Sequence, residues 1–151
     1  MSRRRRHHHP PTAADPPRRT PLRSLAQALT HVELVLARPL EPETFALFVD
    51  AQYLPLTCMI VEGPAQRDDV LGVADLATVI GREQHASHVV FVSSRPGAGF
   101  EPADVGRWFA LDHLVGSSGI GLLEWFVCSN QLTVPVSALA GEPSRWPGDP
   151  A

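Results

Sequence analysis

Apolar residues recur along this chain in two rhythms, one of three to four residues and one of two. Between Leu22 and Leu36, the positions Leu25, Ala28, Leu29, Val32 and Leu36 stand three or four apart, which lines one face of a helix. Pro39 and Pro42 end that run. Phe45, Leu47 and Val49 then alternate and predict a strand over 45–49. A polar turn from Asp50 to Tyr53 leads to a second strand over 54–61, so the two form a hairpin. After a loop over 62–66, Asp68 and Asp69 open a helix whose buried stripe is Val70, Val73, Ala74, Ala77 and Ile80.

The short continuous run Val89 to Val92 suits a central strand covered on both faces. A glycine-containing loop over 93–100 follows, then a helix over 102–114 with Pro102 near its first turn. Glu101 and Asp104 stand at the positive end of that helix's dipole. Strands over 122–128 and 132–136, joined by a turn over 129–131, complete the pattern. The expected order is helix, two strands, helix, strand, helix, two strands. Such an order predicts one α/β domain with a mixed sheet flanked by about three helices. Residues 24–140 form this body, and 141–151 form a loop-like tail whose Trp146 is placed to fold back onto it.

The first 23 residues carry five prolines, seven arginines and the run His7 to His9, with almost nothing to bury. A segment of that composition cannot offset its ordering entropy, and the expectation is a disordered arm over 1–23. Charge is divided accordingly. Seven arginines (Arg3, Arg4, Arg5, Arg6, Arg18, Arg19 and Arg23) against Asp15 give residues 1–24 a net charge of +6. Six arginines against fifteen acids leave the rest at −9. A basic arm on an acidic body suits an interaction tail, for nucleic acid or for a protein partner. All thirteen basic residues are arginine, a compositional bias that discounts arguments resting on arginine alone.

Cys58 and Cys128 both sit in apolar, strand-like runs, so the expectation is two buried thiols in a reducing cytoplasm rather than a disulfide framework. No stretch reaches the roughly 18–20 apolar residues of a membrane span. The arginine-rich start lacks the apolar segment of a secretory signal.

Three strings carry a resemblance. PETFALFVDAQ (Pro42 to Gln52), VVFVSSRPGAGFEP (Val89 to Pro102) and LLEWFVCSN (Leu122 to Asn130) together resemble the RadC-type JAB (MPN) domain over residues 42–139. The resemblance implies a three-layer-like, cytidine-deaminase-like architecture. It also implies a zinc site in active members: two histidines and a following aspartate hold the metal, and an upstream glutamate works on the bound water. Zinc needs about three protein ligands with an open fourth position, and it makes hydroxide available near neutral pH.

This chain departs from the pattern at each of those places. Ser93 and Arg95 stand at the two histidine positions, with Pro96 in register behind them. The aspartate position falls on Gly106 and the glutamate position near Met59, with Glu62 close by. Asp104 is two residues early, a rotation of about 200° around a helix. A fixed guanidinium at Arg95 repels a dication. The resemblance therefore implies a degenerate member with no catalytic residue, no metal and no cofactor. Such a domain would serve as a binding or scaffolding module, with a link to DNA repair or processing through the family. Two alternatives are a metallohydrolase with relocated ligands at His85, His88 and Asp104, and a regulatory subunit that pairs with an active JAB homologue.

Other candidate chemistry has plainer readings. Ser94, Arg95, Gly97, Gly99 and Asp104 could line an anion pocket at a helix N-terminus; the competing expectation is that Arg95 pairs with Glu101 or Asp104. Ser93 and Ser94 lack a histidine beside them and read as turn residues. His85 and His88 are two ligands without a third and read as surface or capping residues. Trp108, Phe109, Leu111, Trp125 and Phe126 read as core.

Overall fold

The computed structural model describes residues 20–36, 38–62 and 69–150. Most of the basic arm, including Arg3 to Arg6, His7 to His9, Arg18 and Arg19, lies outside them, as do residues 63–68 with the expected helix opening at Asp68. The elements are α1 (Leu25–Val35), β1 (Glu43–Val49), β2 (Pro55–Glu62), α2 (Asp69–Glu83), β3 (His88–Ser94), α3 (Asp104–Ser117), β4 (Gly121–Cys128), β5 (Thr133–Pro135) and the short α4 (Val136–Leu139). The fold is α/β, as the rhythm of apolar positions predicts.

The five strands lie in the order β2-β1-β3-β4-β5. β1 pairs antiparallel with both β2 and β3, β3 and β4 run parallel, and β5 returns antiparallel beside β4. The parallel pair needs a crossover, and α3 supplies it. Side-chain alternation then sorts the strands' residues between two cores. Ala46, Phe48, Val89, Phe91, Trp125 and Val127 face α2 and α3. Phe45, Leu47, Val90, Val92, Phe126 and Cys128 face α1. Both faces of the sheet are covered, so β3 reads as an unbroken apolar run.

Local chemistry explains the ends of these elements. Ser24 caps α1 by accepting the Gln27 N–H at 3.1 Å. Asp50 shapes the β1–β2 turn, its Oδ1 accepting the N–H groups of Gln52 and Leu54 at 2.8 and 3.0 Å. α2 ends with His85 in the left-handed region (φ 56°). There the Ala86 N–H donates to the Gly81 carbonyl and the His85 N–H to that of Arg82, the pattern of a Schellman cap. Gly81 itself packs closely: a Cβ there would stand 2.8 Å from Ile120 Cδ1 and 3.0 Å from Phe48 Cε1.

Three features depart from the expectations. Leu22 and Arg23, placed at the end of the arm by composition, belong to the body. Leu22 is buried in the α1-side core, and the Arg23 carbonyl accepts from the Gly148 N–H. The tail folds back as expected and meets them from the other side, with Trp146 buried in that same core. Phe109 is exposed, on the outer surface of α3, while Trp108, Leu111, Trp125 and Phe126 are core as expected. Cys58 is exposed on β2, and Cys128 alone of the two thiols is buried. Edge position is the reason for the last: among the described residues, β2 has a neighbouring strand on one side only.

Candidate functional site

The parallel strands β3 and β4 end together, and the crevice beyond their carboxyl ends is where open α/β sheets commonly place ligands. Ser93, Ser94 and Arg95 close β3 at this end. The Arg95 N–H donates to the Cys128 carbonyl at 2.8 Å, which extends the ladder by one residue. The 96–100 loop is tied to the β4–β5 turn by Asn130, whose Nδ2 donates to the Pro96 carbonyl at 2.7 Å. Gly99 takes φ 53° here, and a Cβ on it would stand 3.2 Å from that of Ser129. The left-handed backbone and that close approach together favour glycine.

Inside the crevice the chain supplies both charges. Asp104, the first residue of α3, is fully buried, and Arg95 is nearly so. Arg95 grips the carboxylate with both ends of its fork, Nη1 to Oδ2 at 2.7 Å and Nη2 to Oδ1 at 3.1 Å. Nη1 also donates to the Gly99 carbonyl at 3.2 Å. Asp104 accepts further from the Glu101 N–H at 2.8 Å and from Arg107 at 3.0 Å, and Arg107 in turn pairs with Glu101. Burial alone would raise the Asp104 carboxyl. Hydrogen bonds from Arg95 and the Glu101 N–H, the charge on Arg95 and the bond from Arg107 outweigh it, and they hold the group below its ordinary value.

Trp125 forms the floor. Its indole N–H donates to Ser93 Oγ at 2.9 Å, and the Arg95 guanidinium lies 5.7 Å from its ring centre. Ser93 is therefore held as an acceptor beneath a cation, with no histidine beside it. Ser94 points to the opposite face by alternation; it is fully buried, and its Oγ has no partner among the described residues.

The sequence-predicted residues divide on this geometry. Ser93, Arg95 and Asp104 come together, with Gly99 at the rim. Gly106 does not join them: it lies on the exposed side of α3, where a Cβ would meet nothing within 4 Å. The acid of that helix that enters the crevice is Asp104, two residues before the position the resemblance counts. Met59 shares the α2-side face but sits on β2, with the whole of β1 between it and β3. Gly97 is exposed on the loop. The anion-pocket expectation is corrected at its centre, since the anion that Arg95 holds is Asp104.

The relocated ligand set does not assemble either. His88 begins β3 and Asp104 bonds Arg95 just past its end, a separation of about 23 Å along seven residue steps. His88 stacks on Tyr53 with ring centres 4.8 Å apart, and His85 caps α2. Among the described residues, no three His, Cys, Asp or Glu side chains are grouped to hold a metal ion. No family model matches the chain. No curated protein matches it either.

Two groups escaped the sequence reading. Glu124 is buried at an irregularity in β4, where the register slips between Val89–Leu122 and Val90–Glu124. Its carboxylate accepts the N–H groups of Trp125 at 2.9 Å and Ser137 at 3.1 Å, and it bonds the Ser137 hydroxyl. It thereby caps α4 from within the core. Burial pushes its pKa up against the hydrogen bonds from Ser137 and Trp125 and the more distant charge of Arg145. Arg145 clamps Asp112 with both arms at 2.6 and 3.1 Å and lies 5.0 Å from the Trp108 ring centre. Neither was foreseeable from periodicity, because a one-residue bulge and a returning tail leave no repeating pattern.

Partial enclosure of the Cys58 sulfur, then the charge of Glu43, pushes the thiol up to about 11, so the thiolate is scarce at neutral pH even though the residue is exposed. No helix among the described residues is long and apolar enough to cross a membrane.

Proposed function

We propose that this chain is a JAB-like domain without metallohydrolase chemistry, acting as a binding or scaffolding module. One observation carries the reading. The crevice at the ends of β3 and β4 holds a buried, bidentate Arg95–Asp104 pair where the resemblance expects metal ligands. A guanidinium there repels a dication, and the carboxylate nearest to it is already taken. The resemblance in the three strings supports the family assignment, which is an inference from pattern.

For the partner, the seven arginines from Arg3 to Arg23 suit phosphate contacts, and a role beside nucleic acid follows from the family's association with DNA repair and processing. The chain would then work in the cytoplasm, the compartment that unpaired thiols suit.

Elemental analysis tests the central reading. Protein purified after exposure to zinc and dialysis is expected to carry substoichiometric metal and to melt at the same temperature with and without it. The His7 to His9 run is replaced by alanines in the sample, so that it cannot chelate adventitiously. Stoichiometric zinc in that variant, lost on Asp104→Ala, would overturn the proposal and favour a metal site in the crevice.

A further inference from the structure

β2 closes one side of the sheet, and its outer backbone edge faces away from β1. The strand is irregular at its start, opposite Leu47 to Val49, but from Cys58 to Glu62 its register with β1 is unbroken. Cys58, Ile60 and Glu62 lie opposite Leu47, Phe45 and Glu43, which puts them on the α1 side of the sheet. α1 does not cover them. Ile60 is 53% exposed and Leu34, on the facing helix, 81%. Between α1 and β2 runs an open groove of about 760 Å³, with Leu22, Ala26, Leu34, Leu47 and Leu56 in its walls. Among the described residues, no carboxylate or guanidinium lines it.

A regular edge beside an apolar groove is a liability unless something covers it, because its unpaired N–H and C=O groups can template another strand. Charge at one end of the strand indicates what the cover carries. Glu62 stands directly opposite Glu43, a like-charge pair that costs stability. Burial, then the charges of Glu62 and Glu41, raise the Glu43 carboxyl. Among the described residues none of the three acids is in a salt bridge.

We infer that the β2 edge and the α1 groove form a docking site for an extended segment of a partner protein. The segment adds antiparallel to β2, with basic residues at its N-terminal end and apolar residues at alternate positions. Antiparallel pairing is the slightly more stable ladder, and β2 runs towards Glu62, so the segment's first residues meet the acidic end. Side chains two apart on one face then lie over Ile60 and enter the groove beside Cys58. A second copy pairing through its own β2 fits less well, because that strand brings another Glu62 and no cation. The inference stands apart from the reading of the crevice, so zinc found there would overturn that reading and leave this one intact.

The test uses the full chain and fluorescein-labelled peptides about as long as β2, with valine and threonine alternating and two arginines at the N-terminal end. Three control peptides carry the arginines at the C-terminal end, glutamates in their place, or N-methyl groups on alternate amides. By anisotropy, the first peptide is expected to bind, and each control to bind about tenfold or more weakly. Glu62→Arg is expected to reverse the preference between arginine- and glutamate-ended peptides, and Ile60→Lys to weaken both. Equal binding of the N-methylated peptide, an unchanged ranking in Glu62→Arg, or no binding by any peptide would each overturn the inference. So would a concentration-dependent dimer in sedimentation that Ile60→Lys abolishes, since the occupant would then be a second copy.

Discussion

At the scale of single residues, the buried charges decide most. Removing the guanidinium in Arg95→Ala leaves the buried Asp104 carboxylate with Arg107 as its one described cation and the Glu101 N–H as a further donor. A broken buried pair typically costs about 3–5 kcal/mol, whereas replacing both partners with apolar side chains is often neutral. Arg95→Ala is therefore expected to lose stability of that order in urea denaturation, and Arg95→Met with Asp104→Leu to lose much less. A loss below about 1 kcal/mol for Arg95→Ala, the size of an exposed pair, would mean that the crevice is wet.

Two carboxyls respond to pH in opposite directions. Asp104 is held below its ordinary value of 3.8, so its contribution is full above that value and fades as pH falls through the lowered pKa. Glu124 is raised above 4.5, so its contribution is full below that value and fades as pH rises through the raised pKa. Glu124→Gln keeps an acceptor for the Trp125 and Ser137 N–H groups and a donor for the Ser137 hydroxyl, yet does not ionise. The variant is expected to gain on the wild type progressively as pH climbs above 4.5, seen as a widening difference in melting temperature. A difference that does not vary with pH would show that Glu124 titrates normally.

At the scale of elements, periodicity found nearly everything that repeats. The three long helices, β1 and β4 were legible because each buries one regular face or runs continuously through the core. The Asp50 turn was legible as a polar interruption. α4 was not, since four residues hold no full period, and neither was the bulge at Glu124 that anchors it. The exposure of Cys58 and Ile60 was hidden for a different reason: a strand's apolar pattern does not reveal whether it lies at the centre or the edge of the sheet. In the crevice, the contest between Glu101 and Asp104 for Arg95 was open in sequence. α3 settles it by turning Asp104 inward and Gly106 outward, as about 200° of helical rotation demands.

His85 shows how an apparent candidate ligand can be a piece of architecture. It occupies the left-handed position that ends α2, where a side chain costs roughly 1 kcal/mol relative to glycine. His85→Gly is expected to stabilise the protein by about that amount, partly offset by the greater freedom of glycine in the unfolded chain. Chemical denaturation measures it directly. A clear loss of stability would mean that the imidazole makes contacts worth more than the backbone strain.

At the scale of the whole molecule, the division of charge is the feature that composition exposed and the fold refines. The body begins earlier than composition indicates, because Leu22 is buried and Arg23 bonds the tail at Gly148. A truncation meant to remove the arm without injuring the core must stop at residue 19. It takes away six of the seven arginines and leaves the acidic domain with α1 and its flanking contacts whole. If the arm contacts phosphates, each neutralised phosphate releases counterions. The logarithm of affinity for duplex DNA then falls linearly with that of salt, with a slope no steeper than about −6 for seven arginines. Anisotropy with a labelled duplex between about 50 and 200 mM salt is expected to show that slope for the full chain and no binding after truncation. Binding that survives removal of residues 1–19 would have to come from a body carrying a net charge of −8. Phosphate attraction could not explain it, and the arm would lose its assigned role.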